Sequence, residues 1–115
     1  MAPEMTDVTL YGIPTCDTCK RAMKDLAAAG HDVTFHDVRA DPLTPAQWDE
    51  LLLAFGDRLI NRASTTYRGL SDWMKASDPE DQLAQHPALM KRPVIRTEDK
   101  LYLGWDSGVQ AALLE

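Results

Sequence analysis

Two cysteines are all that this 115-residue chain holds. That is too few for a four-cysteine zinc site or for the disulfide framework of a small secreted domain. Cationic residues are also short: 12 Lys and Arg stand against 18 Asp and Glu, a formal net charge of −6. Without a basic excess there is no bulk electrostatic attraction for a phosphate backbone, which argues against direct nucleic-acid binding. No long apolar run exists either. Leu51-Leu52-Leu53-Ala54-Phe55 is the longest, far below the ~20 residues of a membrane span. The first residues, Met1-Ala2-Pro3-Glu4-Met5-Thr6, lack the basic region and apolar stretch of a secretory leader, so the expected location is cytoplasmic. Repeats and low-complexity tracts are missing. What remains, 44% hydrophobic and 26% charged, suits one soluble globular domain.

Periodicity orders the chain. Val8-Thr9-Leu10-Tyr11 reads as a strand, and Gly12-Ile13-Pro14-Thr15 as a turn. A helix is predicted from about Asp17 to Ala29, with an apolar stripe of Cys19, Ala22, Met23 and Leu26, ending at Gly30. The next strand is Val33 to Val38, so the first unit is a β-α-β crossover with parallel strands, right-handed by strong default. The middle third is helical. Thr44-Pro45-Ala46-Gln47 is a capping box with Pro at N1, Leu43 and Trp48 are placed as a hydrophobic staple, and Trp48, Leu51, Leu52 and Phe55 form the buried stripe before Gly56. A further helix starts at Asp78-Pro79-Glu80-Asp81 and stops near His86-Pro87; residues 61–70 between read as polar and irregular. Two short strands, 93–96 and 100–103, flank the turn Thr97-Glu98-Asp99, and a last helix begins near Asp106-Ser107 with Val109, Ala112 and Leu113. The order β-α-β, helical insert (about 43–90), β-β-α is the thioredoxin-like plan: one α/β domain with a four-stranded mixed sheet.

Both cysteines fall in one motif, Cys16-Asp17-Thr18-Cys19. In a reducing compartment a C-x-x-C is redox-active or catalytic more often than a staple. Cys16 stands at a helix N-terminus, where unpaired N–H groups and the helix dipole favour a thiolate and a bound oxyanion. Cys16 is therefore the candidate nucleophile. Thr15, Thr18 and Lys20 flank it as candidate anion-binding residues, with Arg21 adding charge nearby. Cys19 has two readings. Its spacing allows a disulfide with Cys16, as a resolving thiol, and its place on the buried stripe allows simple packing.

Residues 10–20 (LYGIPTCDTCK), 61–70 (NRASTTYRGL) and 86–94 (HPALMKRPV) resemble the ArsC-like arsenate reductase family. The nearest subgroup is the YffB type, and the Spx regulators are relatives. The resemblance runs from about Val8 to Leu114. It implies that Cys16 attacks the substrate, with no bound cofactor and glutathione as co-substrate, or a glutaredoxin or thioredoxin as partner. It also implies arginines that hold a small oxyanion. Arg92, before Pro93, matches one, and that peptide is expected to be cis. Arg62, or its neighbour Arg68, matches another. The third position falls at Leu103-Gly104-Trp105-Asp106, where no arginine stands. That turns the implied activity from arsenate itself toward a glutathione-dependent thiol reductase acting on a small oxyanion or a disulfide. The Spx relationship implies an alternative: a redox-sensing transcriptional regulator that binds the RNA polymerase α subunit.

Simpler roles compete for several residues. Lys20 and Lys91 read as solvated charges ahead of ligands, and His31, His36 and His86 as solvent-facing or capping groups. Cys16, Cys19, His36 and His86 fit no zinc-finger spacing, so no metal is expected. Trp48, Trp73 and Trp105 read as packing residues.

Overall fold

A computed structural model describes residues 7–98 and 100–114. The residues read for a leader, Met1–Thr6, and turn residue Asp99 lie outside the described residues. The elements are β1 (Asp7–Gly12), α1 (Asp17–Ala28), β2 (Asp32–Asp37), α2 (Pro45–Phe55), α3 (Thr65–Arg68), α4 (Asp72–Lys75), α5 (Pro79–Gln85), β3 (Val94–Arg96), β4 (Leu101–Leu103) and α6 (Ser107–Leu114), with 3-10 turns at Gly56–Leu59 and Pro87–Leu89. They form two compact units. One contains the chain up to Asp37 and from Arg92 on; the other is Val38–Lys91.

The first unit holds a four-stranded mixed sheet in the order β2-β1-β3-β4. β1 pairs with β2 in parallel, from Asp7↔Asp32 to Gly12↔Asp37. It pairs antiparallel with β3 through Leu10↔Ile95, and β3 and β4 form the expected hairpin through Ile95↔Tyr102. Alternation along β1 sends Val8 and Leu10 into one cluster with Cys19, Ala22 and Leu26 of α1, Ile95, Trp105 and Leu113. Burying a side chain such as Leu26, fully enclosed here, stabilises the fold by roughly 1.5–3 kcal/mol. α1 ends as its glycine requires. Gly30 takes φ +94°, its N–H reaches the Ala27 carbonyl at 3.1 Å, and His31 N–H reaches that of Leu26 at 3.1 Å. This is a Schellman closure. His31 then caps the far end of α6, its Nε2 lying 2.7 Å from the Leu113 carbonyl. Ala112, expected on the apolar face of α6, is exposed because Leu113 and not its neighbour turns inward.

The second unit opens with the capping box in place: Gln47 N–H donates to Thr44 Oγ1 at 3.2 Å, and Thr44 N–H to Gln47 Oε1 at 2.8 Å. Leu43, Trp48 and Leu51 are buried, Leu52 and Phe55 half-buried, and Leu53 exposed. Residues 61–70 are irregular only in part, because α3 takes up four of them. Ser64 Oγ accepts from Tyr67 N–H at 3.1 Å and starts α3, and Ser71 Oγ accepts from Met74 N–H at 3.1 Å and starts α4. Each helix is four residues long, too short to show an apolar period, so only the serine caps announced them. Trp73 on α4 is 77% exposed and therefore no packing residue, whereas Trp48 and Trp105 are buried. Gln82 of α5 is buried, and its Nε2 faces the carbonyls of Met74, Lys75 and Ser77 at 3.0–3.2 Å. It satisfies the end of α4 that a four-residue helix leaves open. Among the described residues no helix is long and apolar enough to cross a membrane.

Candidate functional site

Cys16 is the N-cap residue of α1, in extended backbone conformation. The β1–α1 turn closes behind it, with Cys16 N–H donating to the Ile13 carbonyl at 3.0 Å and Lys20 N–H to the Cys16 carbonyl at 3.0 Å. The Cys16 sulfur falls short of a regular capping hydrogen bond, yet the Cys19 amide at N3 is near enough to favour its thiolate. Partial burial works against its thiolate. Hydrogen bonding from the Cys19 amide and thiol and from Arg92, with the Arg92 charge, outweighs it and holds the thiol below its ordinary value.

Cys19, at N3 of the same helix, is the opposite case. It is 1% exposed. Burial, together with the thiol and charge of Cys16, pushes it up to about 12 despite the Ile13 amide and Arg92. Two thiols one helical turn apart are thus separated into a readily ionised one and a protonated one. Neither is in a disulfide. The two sequence readings of Cys19 are both compatible with this position: it belongs to the apolar cluster and its thiol acts on Cys16.

Gly12 permits the arrangement, and its role was missed from the sequence. A Cβ at Gly12 would overlap Cys19 Sγ and come within 3.3 Å of Cys19 Cβ. A glycine ending a strand shortly before a C-x-x-C was the available signal.

Arg92 and Pro93 enter from the start of β3. The Arg92–Pro93 peptide is cis. Pro93 is buried and Arg92 half-buried, which brings the guanidinium to Cys16. The Pro93 carbonyl accepts from Gly104 N–H at 2.8 Å, and Gly104 adopts φ +84°, a conformation an arginine there would hold only with strain. Next to it, Trp105 Nε1 lies 3.4 Å from Asp25 Oδ2. Thr15, Thr18 and Lys20 surround Cys16 in the turn and first helical turn, all exposed.

Arg62 belongs to the second unit. Its guanidinium lies 3.8 Å from Asp57 and over the Tyr67 ring at 6.0 Å from its centroid. Arg68 closes α3. Among the described residues no three His, Cys, Asp or Glu side chains gather as a metal-binding group.

A model of the ArsC family matches residues 11–112. A solved structure of a protein named YffB is 30% identical, with a TM-score of 0.85 and coverage of 94% of this chain and 99% of its own. An arsenate reductase (ArsC) related protein from Brucella melitensis is 34% identical, with a TM-score of 0.75 and coverage of 95% and 96%. The global transcriptional regulator Spx of Streptococcus pyogenes is 28% identical over 116 residues, covering 93% of this chain and 84% of that protein.

Proposed function

The chain belongs to the ArsC family, and on that premise we propose that it is a glutathione-dependent thiol oxidoreductase with Cys16 as nucleophile. The observation that carries the reading is the Cys16 sulfur at the N-terminus of α1 with the Arg92 guanidinium beside it. A thiolate there attacks one sulfur of a disulfide. A Cys16–substrate disulfide forms, and the other half leaves as a thiolate that takes a proton from water. The guanidinium and the free amides of the helix end stabilise anionic groups at the reacting centre. Thr15, Thr18 and Lys20 flank the same space, and Arg62 is a candidate for holding a further anionic group.

Two routes complete the turnover. Glutathione attacks the Cys16 sulfur and releases the substrate thiol, and a second glutathione then frees Cys16 as glutathione disulfide leaves; or Cys19 attacks the Cys16 sulfur and releases the substrate thiol, and two glutathiones reduce the Cys16–Cys19 disulfide and leave as glutathione disulfide. The second route has a physical basis in the pair itself. The negative charge of Cys16 is one of the causes that hold Cys19 protonated, and disulfide formation at Cys16 removes it.

The test is to incubate the reduced protein with glutathione disulfide, and separately with arsenate plus glutathione, and to read intact mass. Glutathione on Cys16, or a Cys16–Cys19 disulfide, is expected. Retained turnover in Cys16→Ser overturns the assignment. A Cys19→Ser variant that still turns over points to glutathione as the resolving thiol.

The Spx relative, matched over 93% of this chain, favours one alternative: a redox-sensing regulator that binds the RNA polymerase α subunit. It predicts capture of the α C-terminal domain by one redox state of this protein. No capture in either state removes it.

A further inference from the structure

Below the reactive sulfur, the first unit has a second feature that the proposed chemistry does not use. Ile13, Pro14, Cys19, Lys20, Met23 and Phe35 line an apolar groove of about 270 Å³. Three of these, Cys19, Lys20 and Met23, follow Cys16 at i+3, i+4 and i+7, so they continue the face of α1 on which Cys16 stands. Cys16, Met23 and Phe35 all pack on the same apolar cluster. The groove starts about 5 Å along the helix axis from Cys16. A disulfide partner's Cα lies about 5.5 Å from that of Cys16, and the next residue of the partner is 3.8 Å further on. These lengths are comparable, so a side chain adjacent to the partner's cysteine is long enough to span to the groove.

The chemistry of the wall selects the occupant. At about 270 Å³ the groove lies at the low end of the roughly 300–1,000 Å³ of sites that enclose whole small molecules, and it has room for a large side chain. Glutathione, with two carboxylates and an amine, has nothing to place against Ile13, Pro14, Met23 and Phe35. Among the described residues the one charged lining residue is Lys20, whose aliphatic stem supplies wall while its exposed ammonium stays in water.

We infer that the substrate of this protein is a protein or peptide disulfide whose reacting cysteine is flanked by a bulky apolar residue, seated in the groove formed by Ile13, Pro14, Met23 and Phe35. The inference rests on Cys16 being the nucleophile. In the reaction the substrate disulfide gains two electrons and two protons and becomes two thiols. Cys16 and Cys19 lose them and become a disulfide.

The experiment is single-turnover release of thionitrobenzoate from mixed disulfides of short cysteine peptides by the reduced protein. Peptides with leucine or phenylalanine beside the cysteine are compared with serine peptides and with the glutathione mixed disulfide. The apolar peptides are expected to react at least tenfold faster than the serine peptides, and the ratio to fall toward one in Met23→Gln and Met23→Ala variants of native circular dichroism. Equal rates in the wild type, or an undiminished ratio in the variants, overturns the groove. As a check without groove variants, the leucine peptide trapped on Cys16 in Cys19→Ser should show nuclear Overhauser contacts from its methyls to Met23 and Phe35; their absence overturns it as well. No release from any mixed disulfide, glutathione's included, overturns Cys16 as nucleophile and the groove's role with it.

Discussion

Cys19 Sγ occupies the space in which a side chain at Gly12 would begin. The end of β1 and the first turn of α1 are therefore packed as one piece, and the thiol that faces Cys16 is held by a glycine opposite. Gly12→Ala should destabilise the protein by about 1–3 kcal/mol, the usual cost of overpacking a tight core. In Gly12→Ala/Cys19→Ala the added methyl takes the volume the sulfur leaves, so the double variant should be more stable than the sum of the singles. Urea denaturation of the four proteins gives the coupling energy. Strict additivity would mean the two residues do not share that space.

Arg92 is one of the groups that hold the Cys16 thiol low. Replacing it by methionine should shift the pH profile of Cys16 alkylation toward higher pH. Below the transition the rate should fall about 1.5- to 5-fold, the range of a charge pair still reached by solvent. Iodoacetamide kinetics followed by intact mass check this, and an unshifted profile would show that Cys19 and the helix end suffice.

Cys19 gives a stability effect of defined sign. Its folded-state pKa is raised from 9.0 to about 12, so the folded protein binds that proton more tightly than the unfolded chain. The stabilisation is complete below about pH 9 and is lost as pH rises toward 12. Under reducing conditions the urea midpoint of the wild type should fall more steeply between those values than that of Cys19→Ala. Parallel curves would contradict the assignment.

Gln82 places an amide NH₂ against three carbonyls. Gln82→Glu keeps the shape and removes the donors, setting a carboxylate oxygen against carbonyl oxygens. A loss of about 3–5 kcal/mol at neutral pH is expected, the cost of a buried charge left without a partner. Thermal denaturation should show it shrinking as pH falls and the carboxyl gains a proton to donate.

Trp73 is 77% exposed, against 1% for Trp48 and 8% for Trp105. Iodide should quench one of the three indoles, and Trp73→Phe should remove the quenchable fraction. Trp48→Ala, by contrast, should cost about 3–5 kcal/mol as a core truncation.

The elements that could be placed from the chain are those whose local signals agree. β1, α1 and β2 have an alternating run, a 3.6-residue stripe and a glycine stop, and the Thr44-Pro45-Ala46-Gln47 box marks the start of α2 to the residue. These follow from periodicity and capping, which act over a few residues and are written in their order. The same local reading put Cys16 at a helix N-terminus. α3 and α4 escaped because four residues carry no period, and Trp73 because an aromatic residue alone does not say which way its helix face turns.

The order of elements and the position of the nucleophile candidate are therefore legible in the residues alone. The family resemblance named Arg92 as well, but only the folded chain shows that its charge acts on Cys16 from 76 positions further along (92 less 16), that Gly12 must be bare for Cys19 to pack, and that Ile13, Met23 and Phe35 close on one groove. Those are contacts between residues from different strands and helices. Their existence depends on sheet register and packing, and no local pattern encodes which distant side chain will share a given space.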